Sequence, residues 1–543
     1  MSGRARSALV VATLVAALSL ATPAGATAPA TWRTRVAAAT HYAEGRAGLV
    51  SFAVVDEAGR LHGYRASAVA PSASVLKAML LVAYLRKADV RTRPLRRRER
   101  ELLGPMIRRS DNEAASAVLA LVGSARLYRL ARVAEMTRFR LELPYWGHSE
   151  ITARDQARFF YRIDSYVPAR HRRYALRLLA TIVESQRWGV ARAAPPPWNL
   201  YFKGGWGSGT GLVDHQVALL RAGGERVSLA ILTQFNPHHS YGRETLHGVA
   251  SRLLHRLPKP LFATAPAARF AFDTGHVGSV DSTCGTLRIR SLTAGRAAIP
   301  TGAPGCAAVL LALAGPRALW SWADADGPHV WTASLDEPAP VEVATLDGSD
   351  VVRRLAGAGT TLAFSYDAYD ADGAFAEAWV TGVGGGSCPV SERARVAVAA
   401  GRFAVGFGET VEVHDLETCA LLADFEAAAD VEAVALAGDL VAALTRDADG
   451  RARVERYTVS TATLLGRTRV SSSVHSPLDA GRGWVVYRAG RSIVALAATS
   501  GRRWVLWRPR RVPVGLALSA RRAAWMENLA ERGRAWILAL PRA

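Results

Sequence analysis

Through the second half of this 543-residue chain, short apolar runs recur at a nearly constant spacing. Taking Trp320, Phe364, Val405, Ala442, Val485 and Ala524 as equivalent points, the steps are 44, 41, 37, 43 and 39 residues. Each run leads into a polar or glycine-containing turn, as in ALWSWADADGPHVWTASL (318–335) and FAVGFGETVEVHDL (403–416). A unit of about forty residues with several short strands cannot bury its own apolar face, so its copies must stack. The expected arrangement over 268–543 is an all-β propeller of six or seven blades. The alternative is an irregular pair of β-sandwiches. The tryptophan–aspartate signature of one large propeller class is not repeated, and the propeller's ligand is not readable.

Residues 31–257 follow a different rhythm. The runs Leu49–Val55 and Leu61–Tyr64, on either side of Asp56-Glu57-Ala58-Gly59, read as a hairpin. Helical patterns continue to Glu184. Strand-like runs follow at 198–202, 212–220 and 226–235, with Gly223-Gly224 turning the last pair, and an amphipathic helix at 241–257 closes the segment. Two strands, a block of helices, three strands and a helix imply an antiparallel α+β sheet with helices on its faces. The stretch PKPLFATAPA (258–267) reads as a linker between the two domains.

The first residues look like an export signal. Arg4 and Arg6 precede the apolar run ALVVATLVAALSLA (8–21), and small residues follow at Ala24-Gly25-Ala26 and Ala26-Thr27-Ala28. That pattern predicts a signal peptide over 1–28 and a secreted chain without a later membrane span. After export the four cysteines, Cys284, Cys306, Cys388 and Cys419, can form two disulfides. Three pairings are open, and pairing of sequence neighbours is the simplest. The net charge of +22 then points to an anionic cell-envelope polymer rather than to nucleic acid. An arginine-rich solvated surface accounts for the same charge, and the run RTRPLRRRER (91–100) reads as loop and helix start.

Three short motifs carry candidate chemistry. In PSASVLKAMLLVAYL (71–85), Ser74 and Lys77 stand three residues apart, on one helix face. A serine hydroxyl is a weak nucleophile until a base takes its proton. Desolvation by Val75, Leu76, Ala78, Met79 and Leu80 favours the neutral amine that can act as that base. The competing account is a serine cap with a snorkelling lysine. In RRSDNEAASAVLALVG, Ser110-Asp111-Asn112 offers polar groups, although Ser110 and Glu113 also fit a capping box for a helix over 114–122. In NLYFKGGWGSGTG, Lys203 ends a strand. Gly204 and Gly205 then allow close backbone approach to an extended substrate, unless they simply form a hairpin corner.

Together and in this order, the three motifs resemble the S-x-x-K, S-D-N and K-T-G set of penicillin-recognising serine enzymes. The resemblance to class A β-lactamases covers roughly residues 40–257 and includes SEITARDQARFF (149–160) and SQRWGV (185–190). It implies that Ser74 becomes acylated and that Lys77 is the general base, directly or through water. It implies that Ser110 passes a proton to the leaving nitrogen and that Asn112 holds the substrate amide. Lys203 would favour the anionic end of the substrate and help order Ser110, and Gly204, Gly205 and Trp206 would bind substrate beside it. The backbone N–H groups of Ser74 and Trp206 would form the oxyanion hole, where one donor is commonly worth about 3 kcal/mol. The implied substrate is a β-lactam or a peptidoglycan-derived amide or ester.

The sequence departs from that family in three places. The stretch FRLELPYWGHSEITARD (139–155) lacks the E-x-x-L-N glutamate that activates the deacylating water. Glu142 and Glu150 are the available substitutes, each also readable as a surface or capping carboxylate. Gly204 replaces the hydroxyl-bearing middle residue of K-T-G, and Trp206 narrows the cleft. Ser74 and Ser110 are only 36 residues apart, which trims one wall. No cofactor is implied. His238-His239 lies in a polar turn with no second ligand pair at metal spacing. The expected function is a secreted serine hydrolase with an acyl-enzyme, whose deacylation is slow. The alternatives are a penicillin-binding peptidase-like protein with a persistent acyl-enzyme, or an envelope-binding propeller carrying a non-catalytic module.

Overall fold

The computed structural model describes residues 30–542 apart from 294, 307–308 and 371. The signal peptide expected over 1–28 lies outside the described residues. Seven strands and a block of helices make the N-terminal half: β1 (Leu49–Val55), β2 (Leu61–Tyr64), β3 (Val69–Pro71), β4 (Glu150–Thr152), β5 (Asn199–Gly207), β6 (Val213–Ala222) and β7 (Glu225–Gln234). Five of them form an antiparallel sheet in the order β2-β1-β7-β6-β5, and β3 pairs with β4. Successive side chains of a strand point to opposite faces. Because Val227, Ser228, Leu229, Ala230, Ile231 and Leu232 are all buried, both faces of β7 are covered. The helices Ala153–Tyr161, His239–Leu253 and Trp32–Glu44 pack on this sheet or on one another.

Helix Leu76–Leu85 is buried at every residue, Lys77 included. A helix that is apolar all round has no solvent face, so it sits inside the helical block. It packs against Arg97–Arg108, Asn112–Val122, Ser124–Val133 and Ala169–Ala180. Among the described residues no single helix is long and apolar enough to cross a membrane.

Among the described residues the second half forms seven four-stranded antiparallel sheets, which accounts for the forty-residue period. Six are continuous in sequence, over 267–300, 310–345, 351–390, 395–426, 430–469 and 474–507. The first strand of each packs on the first strand of the next. The first strand of the seventh, Gly515–Ser519, packs on β9 (Ala267–Asp273). Asp273 fastens this junction: its Oδ2 accepts from Gly315 N at 2.9 Å and Gly359 N at 2.6 Å, and its Oδ1 from Ser519 Oγ at 2.8 Å. Disulfides Cys284–Cys306 and Cys388–Cys419 join sequence neighbours, the simplest of the three pairings.

The expected linker over 258–267 is not a free connection. Its residues Lys259–Thr264 form β8, which pairs with Arg532–Ala539 as the fourth strand of the seventh sheet. The C-terminal segment supplies only three strands there, so the open edge of the third is covered by a strand from before the first sheet.

The two halves share one core. Trp198, before β5, has ring centroids 6.4 Å from both Trp507 and Trp536. Beside this cluster three buried carboxylates receive the backbone of the loop 508–511. Glu57 accepts from Arg508 N at 3.1 Å, Glu225 from Arg510 N at 3.3 Å and Glu527 from Arg511 N at 3.3 Å.

Candidate active site

Three elements bring the motif residues together. Ser74 lies in a single 3-10 turn, Ala73–Val75, that leads straight into Leu76–Leu85 and carries Lys77 into the core. Ser110 precedes helix Asn112–Val122. The cap of that helix is Asp111, which accepts from Ala114 N at 2.9 Å, and not Ser110 as the capping-box reading expected. Ser110 is thereby free of capping and holds a left-handed φ of 61°. For a non-glycine residue this costs of order 1 kcal/mol and persists only where the surroundings enforce it. Two lysines enforce it here. Lys203 lies within β5, which runs on past it through Gly204, Gly205 and Trp206 instead of ending there.

Lys77 Nζ lies 2.5 Å from Ser110 O, 3.3 Å from Ser110 Oγ and 2.7 Å from Asn112 Oδ1. Lys203 Nζ donates to the same Oγ at 3.0 Å and to Gly204 O at 2.7 Å. Both amines are fully buried. Burial lowers the Lys77 amine to about 7, against a smaller opposing pull from Asp111. Burial, and then the neighbouring Lys77 charge, hold Lys203 well below the ordinary lysine range. Two ammonium groups on one hydroxyl would repel, so the arrangement suits at least one neutral amine.

No hydrogen bond joins Lys77 to Ser74 Oγ among the described residues; Lys77 faces Ser110 and Asn112 instead. In a free site such catalytic contacts are commonly long and tighten when substrate arrives. Ser74 is not a cap: Ser72 stands before the 3-10 turn and Val75 before the helix, and neither makes a side-chain cap hydrogen bond. Ser74 opens into a cavity of about 660 Å³ lined also by Asn112, Trp146, Trp206 and Thr210.

Gly205 explains how β5 comes beside Ser74. A Cβ there would stand 2.9 Å from both Ser74 N and Val75 N, closer than packed atoms allow. The strand can therefore lie against the start of the 3-10 turn, which places the Trp206 backbone beside that of Ser74. Gly204 faces the Trp188 ring, which a Cβ at this position would meet at 3.4 Å, so indole fills the space next to the missing hydroxyl. His215, opposite Gly205, is structural: Nδ1 accepts from Thr233 N and Nε2 donates to Pro71 O at 2.9 Å. Burial lowers it to about 4, so it stays neutral.

Neither substitute carboxylate reaches the cavity. Glu142 pairs with Arg140 at 3.6 Å and Glu150 with the same arginine at 2.5 Å, both away from Ser74. Trp146 comes over the site instead. Its ring centroid lies 5.1 Å from Lys77 Nζ and its Nε1 donates to Ser116 Oγ at 3.1 Å. Trp146, Ser116 and Thr210 escaped the sequence reading. The run PYWGH shows a turn with aromatics, but nothing local tells that it folds back over a helix start seventy residues earlier.

Residues 92–257 match the model of a family described as the beta-lactamase enzyme family, a stretch that includes Ser110, Asn112 and Lys203 and begins after Ser74 and Lys77. Solved structures similar to this chain include an ancestral class A β-lactamase (GNCA), 19% identical, covering 41% of this chain and 100% of that one with a TM-score of 0.37. The β-lactamase from Sphaerobacter thermophilus is 18% identical over 41% of this chain and 96% of its own, with a TM-score of 0.36. A β-lactamase from Xanthomonas campestris pv. campestris has the same identity, coverage and TM-score. No curated protein matches the chain. The family match lies on the helical block and the β5–β7 strands, so residues 92–257 belong to a β-lactamase-like domain.

Proposed function

We propose that this chain is a secreted serine acyl-transfer hydrolase that reacts with β-lactams or related cell-wall amides and esters and releases the acyl group slowly. The observation that carries this reading is Ser110 Oγ held between two desolvated amines, one of which, Lys77, also donates to Asn112, a residue lining the cavity that exposes Ser74. In the reaction, Ser74 Oγ attacks the carbonyl carbon while its proton passes to neutral Lys77. The tetrahedral oxyanion rests on Ser74 N and Trp206 N. As the C–N bond breaks, Ser110 hands its proton to the leaving nitrogen and recovers one from the lysines. Asn112 holds the substrate amide, and the Lys203 end of the site favours its carboxylate.

Slow release follows from the position of the carboxylates. Glu142 and Glu150, the substitutes offered by the sequence, are turned onto Arg140 and do not line the cavity at Ser74, whose lining glutamate is Glu113, while Trp146 covers Lys77. The same observation favours the penicillin-binding reading, in which the acyl-enzyme simply persists. The seven sheets, with β8 closing the last, fit a seven-bladed propeller. With a chain charge of +22 we assign it an anionic envelope polymer as partner.

Incubation with a labelled penicillin and a chromogenic cephalosporin, beside Ser74→Ala, tests the proposal. Label retained on the wild type and absent from the variant supports slow release. Fast colour without retained label supports a true β-lactamase. Neither signal would overturn the hydrolase reading on these substrates and leave an envelope-binding protein with an inert domain.

A further inference from the structure

Beyond the cavity at Ser74, a second serine stands in line with an imidazole and a carboxylate. Ser208 follows β5 directly and is exposed. Its Oγ lies 3.2 Å from His239 Nε2. The other nitrogen of that ring, Nδ1, lies 3.0 Å from Asp214 Oδ2. Asp214, on β6, is fully buried, His239 is half-buried, and exposure thus rises along the line toward the hydroxyl.

The carboxylate is fixed from several sides. Asn236 Nδ2 donates to the same Oδ2 at 3.1 Å. Helix His239–Leu253 passes so near that any side chain at Gly242 would overlap Asp214 Oδ2 and Asn236 Nδ2. A carboxylate accepts only, so His239 presents its proton at Nδ1 and its lone pair at Nε2, toward Ser208. That tautomer is the one a general base needs. Next to the hydroxyl, the backbone N–H groups of Gly209 and Thr210 form no hydrogen bond among the described residues, and the space beside Gly209 is open. The exposed Phe235 ring lies against Gly211 of the same turn and offers an apolar rest for an acyl chain.

We propose that Ser208, His239 and Asp214 form a second acyl-transfer centre, separate from Ser74, that accepts small activated esters. The Oγ–H proton moves to Nε2 as oxygen bonds to the ester carbonyl carbon. The Gly209 and Thr210 amides face the developing oxyanion. The ester C–O bond then breaks, and the imidazolium proton leaves with the alcohol. Water repeats the step in the acyl-enzyme: it gives its proton to His239, its oxygen becomes part of the carboxylic acid, and Ser208 regains its proton. The open surface provides no walls for a peptide, which restricts the substrate to short acyl groups with a good leaving alcohol.

The test uses the full chain carrying Ser74→Ala, a fluorophosphonate probe and p-nitrophenyl acetate, with the modified peptide mapped by mass spectrometry. The proposal expects probe on Ser208, ester hydrolysis that survives Ser74→Ala, and loss of both on adding Ser208→Ala. Adding His239→Gln instead should slow labelling of Ser208 about 100-fold or more, the scale of a lost general base, with the melting temperature unchanged. His238 caps the helix and remains in that variant. An unlabelled Ser208, or labelling that His239→Gln leaves as fast, would overturn it. The two centres fail separately: wild type labelled by penicillin at Ser74 but never by the probe at Ser208 removes only this one.

Discussion

Lys203 Nζ donates to Ser110 Oγ at 3.0 Å, from a strand 93 residues further along the chain. Lys77 reaches the same oxygen at 3.3 Å from the opposite element, so the hydroxyl expected to deliver a proton to the leaving group is connected to two amines that can refill it. A relay of this kind depends on at least one amine being neutral, and its behaviour with pH follows.

Acylation of Ser74 should rise with pH through about 7, where the Lys77 amine loses its proton. The sign is set by burial, which destabilises the ammonium form and makes the base available above that value. Rates of labelling by a penicillin, measured from pH 5.5 to 8.5 at constant ionic strength, check this. Lys77→Arg keeps the charge and should lower the rate by roughly 100-fold to 10,000-fold with no inflection near 7. A flat profile for the wild type contradicts a lysine base.

Gly205→Ala should damage both stability and labelling. The added methyl would sit 2.9 Å from Ser74 N and Val75 N, and both are backbone atoms that cannot rotate away. β5 must retreat, which separates the Trp206 and Ser74 amides and costs about 3 kcal/mol of transition-state stabilisation if one donor is lost. Labelling should fall about 100-fold, with a lower melting temperature. An alanine variant that acylates normally would show that these amides do not act together.

Trp146→Ala should move the acylation inflection upward. Two effects of the indole on Lys77 oppose each other. Its face favours the ammonium, by about 0.5 to 2 kcal/mol, while its bulk keeps water out. Burial is the leading cause of the low lysine value, so removing the cover should dominate and return the amine toward its ordinary range. The same variant tests whether Trp146 blocks water: faster release of the labelled acyl group is expected. An inflection that moves down would mean that the ring face outweighs the desolvation.

The seam between the two halves should weaken as pH rises. Burial raises Glu57 to about 7, Glu225 to about 9 and Glu527 to about 7, and neighbouring carboxylates add to it at Glu57 and Glu225. Each is protonated in the folded protein at a pH where the unfolded chain is ionised, so the folded state binds more protons. Stability from these groups is therefore full below about pH 4.5 and is lost as pH climbs toward 7 to 9. Glu225→Gln keeps an acceptor for Arg510 N and removes the charge. Melting curves at pH 5 and pH 9 should differ less for this variant than for the wild type. Equal differences would show that Glu225 does not titrate in this way.

The chain's sequence alone determined the parts whose chemistry is local. The forty-residue step announced repeated β units because a unit that cannot cover itself must stack. Ser74 and Lys77 were linked by one helical turn, and the glycines after Lys203 marked a close backbone approach. Tertiary structure decided which atoms actually meet. Lys77 faces Ser110 and Asn112 rather than Ser74, and Glu142 and Glu150 turn to Arg140. Trp146 folds over the lysine, and 259–264 leave the expected linker to complete the last sheet. The line from Ser208 through His239 to Asp214 likewise needs β6 and the start of the last helix to lie side by side. Each of these depends on sheet order, register and helix placement between residues far apart in the chain. Those contacts are set by packing of the whole core, and no spacing within one segment encodes them.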